Sequence, residues 1–98
     1  MSLQQLRCKF TKMLALLILY ANQKGFDAYL GDVFATSGHS KHSFHYKGLA
    51  ADLNLFLDGA YLTKTEDHES LGRFWKSIGG TWGGDFTRKD GNHYSLGE

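Results

Sequence analysis

The clearest pattern in the chain is an alternation of apolar and polar residues over residues 49–57, LAADLNLFL. Successive side chains of a β-strand point to opposite faces, so Leu53 and the other leucines share one face while Asp52 lies on the other. We therefore predict a strand that packs its leucine face on the core. The opposite face then carries Asp52 and is available for a functional site.

Helical spacing of apolar residues predicts one helix before this strand and one after it. The first helix presents a single apolar face and ends at Gly25, and the second begins at Thr65, has an acidic first turn and stops at Gly79. The apolar face of the first helix consists of Leu3, Leu6, Phe10, Met13, Leu14, Leu17 and Ala21, and that of the second of Leu71, Phe74, Trp75 and Ile78.

Shorter segments complete the predicted sheet. Residues 26–35 form a strand interrupted by Gly31, Asp58-Gly59 turns the chain into a hairpin with residues 60–62, and residues 93–96 form a last strand. The predicted fold class is α+β, with a small antiparallel sheet packed against an N-terminal helix and a second helix, and with the site on the open sheet face. The chain lacks proline, repeats and linkers, so we expect one domain over residues 1–98.

The apolar run at residues 13–21, preceded by Lys9 and Lys12, imitates a secretory signal. A core helix is the better interpretation, because the helical spacing extends beyond the run and no small-x-small cleavage site follows Tyr20. The run is also too short to cross a bilayer. We expect neither a signal peptide nor stable membrane insertion.

The composition fits a small enzyme or binding domain better than a nucleic-acid-binding protein. The chain has 98 residues, of which 42% are hydrophobic, and its 11 cationic and 10 acidic side chains are interspersed along it. Cys8 is the only cysteine, so an intrachain disulfide and a thiolate zinc site are both excluded. We expect Cys8 to be a small buried side chain of the first helix.

The candidate chemistry comes from two short motifs that are far apart in the chain. His45 precedes Asp52 by seven positions, and Gly48 between them allows the backbone to fold the histidine over the open face of the strand. His93 begins the last predicted strand, three residues after Asp90. Two imidazoles, a carboxylate and a second acidic residue are the components of a catalytic zinc site, in which three ligands leave one position open for water.

These motifs resemble those of the zinc peptidases that include phage L-alanyl-D-glutamate endopeptidases and bacterial D-alanyl-D-alanine carboxypeptidases and dipeptidases. The resemblance covers roughly residues 26–96 and is carried by Ser43-x-His45-x-x-Gly48-x-Ala50-x-Asp52, Trp82-Gly83-Gly84-Asp85 and Asp90-x-x-His93. It implies that His45, Asp52 and His93 bind one zinc ion and that Asp90 is the catalytic base. It also implies that Ser43 and Trp82 lie beside the substrate, and ordinary burial of Trp82 in the core is the alternative for that residue.

From this resemblance we expect a peptidoglycan hydrolase, an endolysin that cleaves the L-Ala-D-Glu bond of cell-wall stem peptides. The Asp-x-x-His form of the second motif favours the endopeptidases, since Glu-x-x-His is common in the carboxypeptidases. Two alternatives stay open: a D-Ala-D-Ala carboxypeptidase, and a zinc-stabilised wall-binding module, because the hedgehog signalling domain shares the scaffold. The expected setting is a phage or prophage protein made in the bacterial cytoplasm and acting on the cell wall.

One position departs from the family pattern. Members usually carry an arginine that holds the substrate or polarises the scissile carbonyl, and Ala35 stands at that place here. Either another cation replaces the arginine or the activity is weaker. The candidate replacements are Lys41, Lys47, Arg73 and Arg88.

Other residues compete with the assigned ones. His39 and His42 are spaced by three with His45, but their Ser/Lys/Gly-rich loop is more typical of exposed histidines than of a metal cluster. His68 lies among acidic residues and fits a solvated first helical turn better than a metal site. Asp85 competes with Asp90 as the base, and proximity to His93 favours Asp90.

Overall fold

The computed structural model describes residues 1–35, 37–38 and 43–97. Within this part of the chain the helices and strands are α1 (Leu3–Gln23), β1 (Asp27–Leu30), β2 (Ala50–Leu57), β3 (Ala60–Tyr61), α2 (Glu69–Ser77), β4 (Thr81–Trp82) and β5 (His93–Ser95). Short 3-10 helices lie between them at Phe44–Lys47, Thr65–His68 and Gly83–Asp85.

The central strand of the sheet is β2, the strand predicted from the alternating pattern. It pairs with β1, β3 and β5, and β5 also pairs with β4, so that the main order is β1-β2-β5-β4. Every pairing is antiparallel. The predicted α+β class, with two helices and a small antiparallel sheet, is confirmed.

The closed face of the sheet packs on both helices. Leu53 and Leu55 of β2 are buried in one apolar cluster with Leu17 of α1 and Trp75 of α2. Burial of each leucine side chain stabilises the fold by about 1.5–3 kcal/mol. The alternation stops at Leu57, which is 43% exposed. Both helices therefore cover the same face, and the opposite face carries the polar residues of β2.

The first helix begins and ends close to its predicted limits. Ser2 accepts a hydrogen bond from the Gln5 backbone N–H, and the Gln5 side chain accepts one from the Ser2 N–H, so the two residues form a capping box. Gly25 follows the helix in the left-handed region, at a φ of 89°. In the part of the chain that the structure describes, no helix has both the length and the apolar character needed to cross a membrane.

Two predictions about the helices are wrong. The second α-helix begins at Glu69 instead of Thr65, because a tighter turn precedes it and the Asp67 carboxylate accepts a hydrogen bond from the Lys64 backbone N–H at 3.0 Å. Cys8 is exposed instead of buried. Cys8 precedes the buried Phe10 by two residues, and two residues correspond to a rotation of about 200° around the helix axis. Cys8 therefore points to solvent.

Candidate metal centre

The pairing of β2 with β5 brings Asp52 and His93 together. The two residues are direct partners in the antiparallel register, and His93 Nδ1 lies 3.7 Å from Asp52 Oδ1. Their neighbours Leu53 and Tyr94 are buried in the core, so Asp52 and His93 point to the open face. The His93 side chain is 5% exposed and that of Asp52 is 21% exposed.

His45 reaches this face from the 3-10 helix Phe44–Lys47. Ser43 precedes the helix and its hydroxyl accepts a hydrogen bond from the His45 backbone N–H at 3.2 Å. Gly48 ends the turn at a φ of 71°, a left-handed conformation that favours glycine. A Cβ at Gly48 would lie 2.8 Å from the ring of Phe34, so the close packing also requires glycine.

The orientation of the His45 ring is fixed by one hydrogen bond. Its Nδ1 lies 3.3 Å from the Val33 carbonyl oxygen, and since a carbonyl only accepts, Nδ1–H is the donor. Nε2 then faces Asp52 Oδ1 at 3.3 Å. Metal-binding histidines commonly use a backbone carbonyl in this way to fix the tautomer and the ring.

The three side chains pass a geometric test for a metal site. One donor atom from each lies within 4.8 Å of the others. Tetrahedral zinc ligands at about 2.0–2.1 Å from the ion lie roughly 3.4 Å from one another. The separations of Asp52 Oδ1 from the two histidine nitrogens, 3.3 Å and 3.7 Å, are close to that value.

Burial supports the same interpretation. Asp52 Oδ1 is buried and has no hydrogen-bond partner among the residues that the structure describes. A buried carboxylate oxygen that lacks a hydrogen-bond donor is costly unless a cation lies beside it. His45, Asp52 and His93 can therefore hold a metal ion, and no other such group is present within the described ranges.

Asp90 lies at the rim of this centre. Its Oδ2 is 4.0 Å from His93 Nδ1, and its side chain is 54% exposed. The backbone holds it there, because the Asp90 N–H donates to the Gly83 carbonyl at 2.9 Å and the His93 N–H donates to the Asp90 carbonyl at 3.1 Å. The carboxylate therefore lies close to the centre and is also open to solvent.

Gly83 allows the Asp90 loop to approach the sheet. A Cβ at Gly83 would lie 2.1 Å from the Asp90 carbonyl oxygen and 2.8 Å from His93 Cβ. Any larger residue would therefore displace Asp90 and His93 together. The glycine pair was part of the family resemblance, but its packing role was not predicted.

Asp85, the rival for the base role, is engaged elsewhere. Its Oδ2 lies 2.9 Å from the Lys76 ammonium group of α2, and both side chains are about half exposed. Asp90 Oδ2 instead lies 4.0 Å from His93 Nδ1, beside the candidate centre. The arrangement supports Asp90, and its role as base stays a prediction.

Trp82 is a buried support for the Asp90 loop. Its side chain is 6% exposed, and Cβ atoms at Gly72 and Gly84 would each lie 2.2 Å from its indole. The indole N–H donates to the Gly91 carbonyl at 2.7 Å. The predicted contacts of Trp82 and Ser43 with substrate stay predictions.

Ala35 brings no charge to the position of the family arginine. Its backbone N–H donates to the His45 carbonyl at 3.3 Å. Among the candidate replacements, Arg73 pairs with Glu69 at 2.7 Å and Lys47 Nζ lies 4.6 Å from the Phe44 ring centroid. Arg88 is exposed in the turn before Asp90, and Lys41 lies outside the described residues.

His68 is the other histidine in the described part of the chain, and it is not part of the cluster. His68 is 3% exposed, so the prediction of a solvated turn is wrong for this residue. The turn directs its ring inward, where Nδ1 and the Tyr94 hydroxyl share a hydrogen bond of 2.8 Å. His39 and His42 lie outside the described residues.

Arg7 is a further contributor that the sequence did not suggest. Its Nε donates to the Lys47 carbonyl at 2.7 Å, and its guanidinium lies 4.9 Å from the Phe34 ring centroid. These contacts connect α1 to the 3-10 helix that carries His45. The hydrogen bond joins residues 40 positions apart, and Phe34 is also distant from Arg7 in sequence, so local spacing gives no signal for either contact.

Comparison with known proteins shows which family the chain resembles. A family model described as D-alanyl-D-alanine carboxypeptidase matches residues 36–96, more than half of the chain. No curated protein matches the chain. The matched region runs from the segment before His45 to the residue after β5, so it contains all three residues of the candidate centre and Asp90.

Proposed function

This chain belongs to the D-alanyl-D-alanine carboxypeptidase family of zinc peptidases, and on that premise we propose that it is a zinc-dependent peptidoglycan hydrolase. The proposed reaction is cleavage of the L-Ala-D-Glu bond in cell-wall stem peptides. The observation that carries the proposal is the convergence of His45, Asp52 and His93 on one face, with Asp90 at its rim. The proposed setting is a phage or prophage lysin.

Zinc is the metal that this donor set favours. Two imidazole nitrogens and one carboxylate oxygen form a common set of protein ligands in catalytic zinc sites. Bound zinc supplies a water of lowered pKa and polarises a carbonyl oxygen. The Val33 carbonyl orients the His45 ring, as the groups that hydrogen-bond to zinc ligands commonly do.

Asp90 is the residue that moves the proton. Its exposed carboxylate accepts a proton from the attacking water and later returns it to the leaving amine. Its backbone bonds to Gly83 and His93 keep it at the rim of the site. Ser43 holds His45 by its cap and also borders the substrate in this proposal.

The choice of bond rests on the shape and charge of the open face. An endopeptidase needs room for chain on both sides of the cut, whereas a carboxypeptidase needs a cation for the terminal carboxylate, usually an arginine. Ala35 supplies no such cation, and both helices lie on the opposite face of the sheet. These features support an endopeptidase.

The description of the family model favours a second candidate, a D-alanyl-D-alanine carboxypeptidase. Mass spectrometry of peptidoglycan digested by the zinc-loaded protein separates the two. We expect peptides that begin with D-Glu, together with L-Ala still linked to glycan. Free D-Ala as the main product would replace the endopeptidase by the carboxypeptidase, and no product at all would favour a wall-binding module.

A further inference from the structure

The open face carries a row of aromatic rings at the end away from the metal centre. Tyr29, Phe56 and Tyr61, here called the aromatic row, come from β1, β2 and β3. The Tyr29 and Phe56 ring centroids lie 5.6 Å apart with an interplanar angle of 26°, and those of Phe56 and Tyr61 lie 5.2 Å apart at 42°. Tyr29 is 58% exposed and Tyr61 is 51% exposed. Exposed apolar clusters of this kind mark binding surfaces.

The strand register places the aromatic row on the same face as the metal centre. Phe56 follows Asp52 by four positions on β2, so the two side chains point the same way and are separated by roughly 13 Å. Tyr29 is the register partner of Asn54, and Tyr61 is that of Phe56. The aromatic row therefore continues the face that presents Asp52.

Amide groups and a recess join the aromatic row to the centre. Asn54 lies between Asp52 and Phe56, and its Oδ1 accepts hydrogen bonds from the Tyr61 hydroxyl at 3.1 Å and from the Asn92 amide at 3.4 Å. A recess of about 220 Å³ has both Tyr61 and Asp90 in its wall. A ligand in this recess can thus touch Tyr61, at one end of the aromatic row, and the proposed base at once.

The chemistry of this surface fits a neutral sugar. Sugar rings place their C–H faces on aromatic rings and their hydroxyl and acetamido groups on side-chain amides, and both elements are present here. The exposed Asp27 is the register partner of Phe56 and shares its face. The recess has Asp90, Lys64 and Lys89 in its wall. Two carboxylates and two ammonium groups thus surround this surface, and a surface without net charge suits an uncharged saccharide better than anionic lipid or nucleic acid.

We infer that Tyr29, Phe56 and Tyr61 form a subsite for a sugar ring of the glycan strand that carries the stem peptide. This inference rests on the proposed function. The L-Ala residue of a stem peptide is attached directly to the muramic sugar, so a cut after L-Ala leaves the glycan a short distance from the scissile bond. The D-Ala end of the peptide is several residues farther away, and a glycan subsite would be of no use to a carboxypeptidase.

The inference predicts a preference that can be measured with matched substrates. The zinc-loaded protein should cleave a stem peptide attached to its disaccharide with a kcat/KM about tenfold above that of the same peptide without sugar. In a Tyr29→Ala/Tyr61→Ala variant this ratio should fall close to one. Tyr61→Phe keeps the ring and should keep most of the ratio. Leu19→Ala is the matched control, because Leu19 is 57% exposed on α1, away from the open face.

Binding without catalysis gives an independent measurement. An NMR titration with a neutral N-acetylglucosamine tetrasaccharide should shift amide signals of β1, β2 and β3 in the wild type and in Leu19→Ala, and should weaken about tenfold or more in the double variant. Unchanged binding in the double variant, or an unchanged substrate ratio, would overturn the subsite. Saccharide binding at the aromatic row in a protein that cleaves no peptide would instead overturn the proposed function and leave the subsite standing.

Discussion

Each face of β5 contributes to a buried cluster that contains a histidine. The two clusters differ in whether their buried polar atoms find hydrogen-bond partners within the protein. On the open face, His93 lies with Asp52 and His45. On the closed face, the next residue, Tyr94, shares a 2.8 Å hydrogen bond with His68. The chain thus places one polar cluster on each side of a single three-residue strand.

The difference lies in the hydrogen bonds that each cluster can make. His68 Nδ1 and the Tyr94 hydroxyl satisfy one another, and burial lowers the pKa of His68 to about 4 and raises that of Tyr94 well above its ordinary value. On the open face, Asp52 Oδ1 finds no hydrogen-bond donor in the described part of the chain. A buried cluster whose polar groups are hydrogen-bonded to one another is structural. A cluster with a buried carboxylate oxygen that lacks a hydrogen-bond donor is a site for a cation. Substitutions should therefore affect function at one cluster and stability at the other.

The largest effect is expected at the open face. Asp90→Asn keeps the shape of the side chain but cannot accept a proton, so kcat/KM on peptidoglycan should fall by about a hundredfold or more. Zinc content should stay at the wild-type level, because Asp90 lies at the rim of the cluster. Loss of zinc together with activity would make Asp90 a ligand and would contradict the assignment.

Asp85→Asn is the matched control. It makes the same change in a carboxylate that pairs with Lys76 on the surface. Its activity should stay close to the wild-type value, and its stability should change by about 0.5 kcal/mol or less. A hundredfold loss in this variant instead would transfer the role of base to Asp85.

A smaller effect, on stability, is expected at the closed face. Tyr94→Phe removes the hydroxyl and leaves the buried His68 Nδ1 without its partner, which should lower the free energy of unfolding by about 1–3 kcal/mol. Denaturation with urea measures this change. Zinc content should remain that of the wild type. A variant with full stability but lower zinc content would show that the two clusters are not separate.

The smallest effect is a dependence of stability on pH. Because burial lowers the pKa of His68 from 6.5 to about 4, with Asp67 opposing the shift, the unfolded chain binds the proton more readily than the folded protein. The stabilising contribution is therefore complete above about pH 6.5 and is lost as the pH falls toward 4.

Urea titrations of zinc-free protein at two pH values test this dependence. Between about pH 7 and about pH 5 the wild type should lose roughly 1–2 kcal/mol more stability than His68→Gln, which has no titrating group at this position. Equal losses in the two proteins would show that His68 binds its proton as easily in the folded state as in the unfolded one. The zinc-free form is used so that the metal ligands contribute equally to both.

Much of the open face could be predicted because its residues obey the simplest rule, the alternation along a strand. Asp52 is opposite in phase to Leu53 and Leu55, so its face was determined without knowledge of its partners. The position of His93 followed from a second strand and a polar turn. Bringing Asp52 and His93 together therefore required only the correct pairing of β2 with β5. His45 joins them from the 3-10 helix before β2, which the sequence did not predict.

What could not be predicted depends on contacts between distant segments. The inward direction of His68 follows from a 3-10 turn where a regular helical start was predicted, and its partner Tyr94 is 26 residues away. The carbonyl of Val33, which orients His45, carries no side-chain signal because every residue has such a group. Gly83 was noticed as part of a motif, but the closeness of the Asp90 carbonyl appears only in the folded chain.

The central claim is that His45, Asp52 and His93 form the metal site, and elemental analysis of the purified protein tests it most directly. The account predicts about one zinc ion per chain in the wild type and in Tyr94→Phe, and almost none in His45→Ala/His93→Ala or in Asp52→Ala. A chelator should lower the melting temperature of the wild type and leave that of the double variant unchanged. Near-stoichiometric zinc in the double variant would contradict the claim.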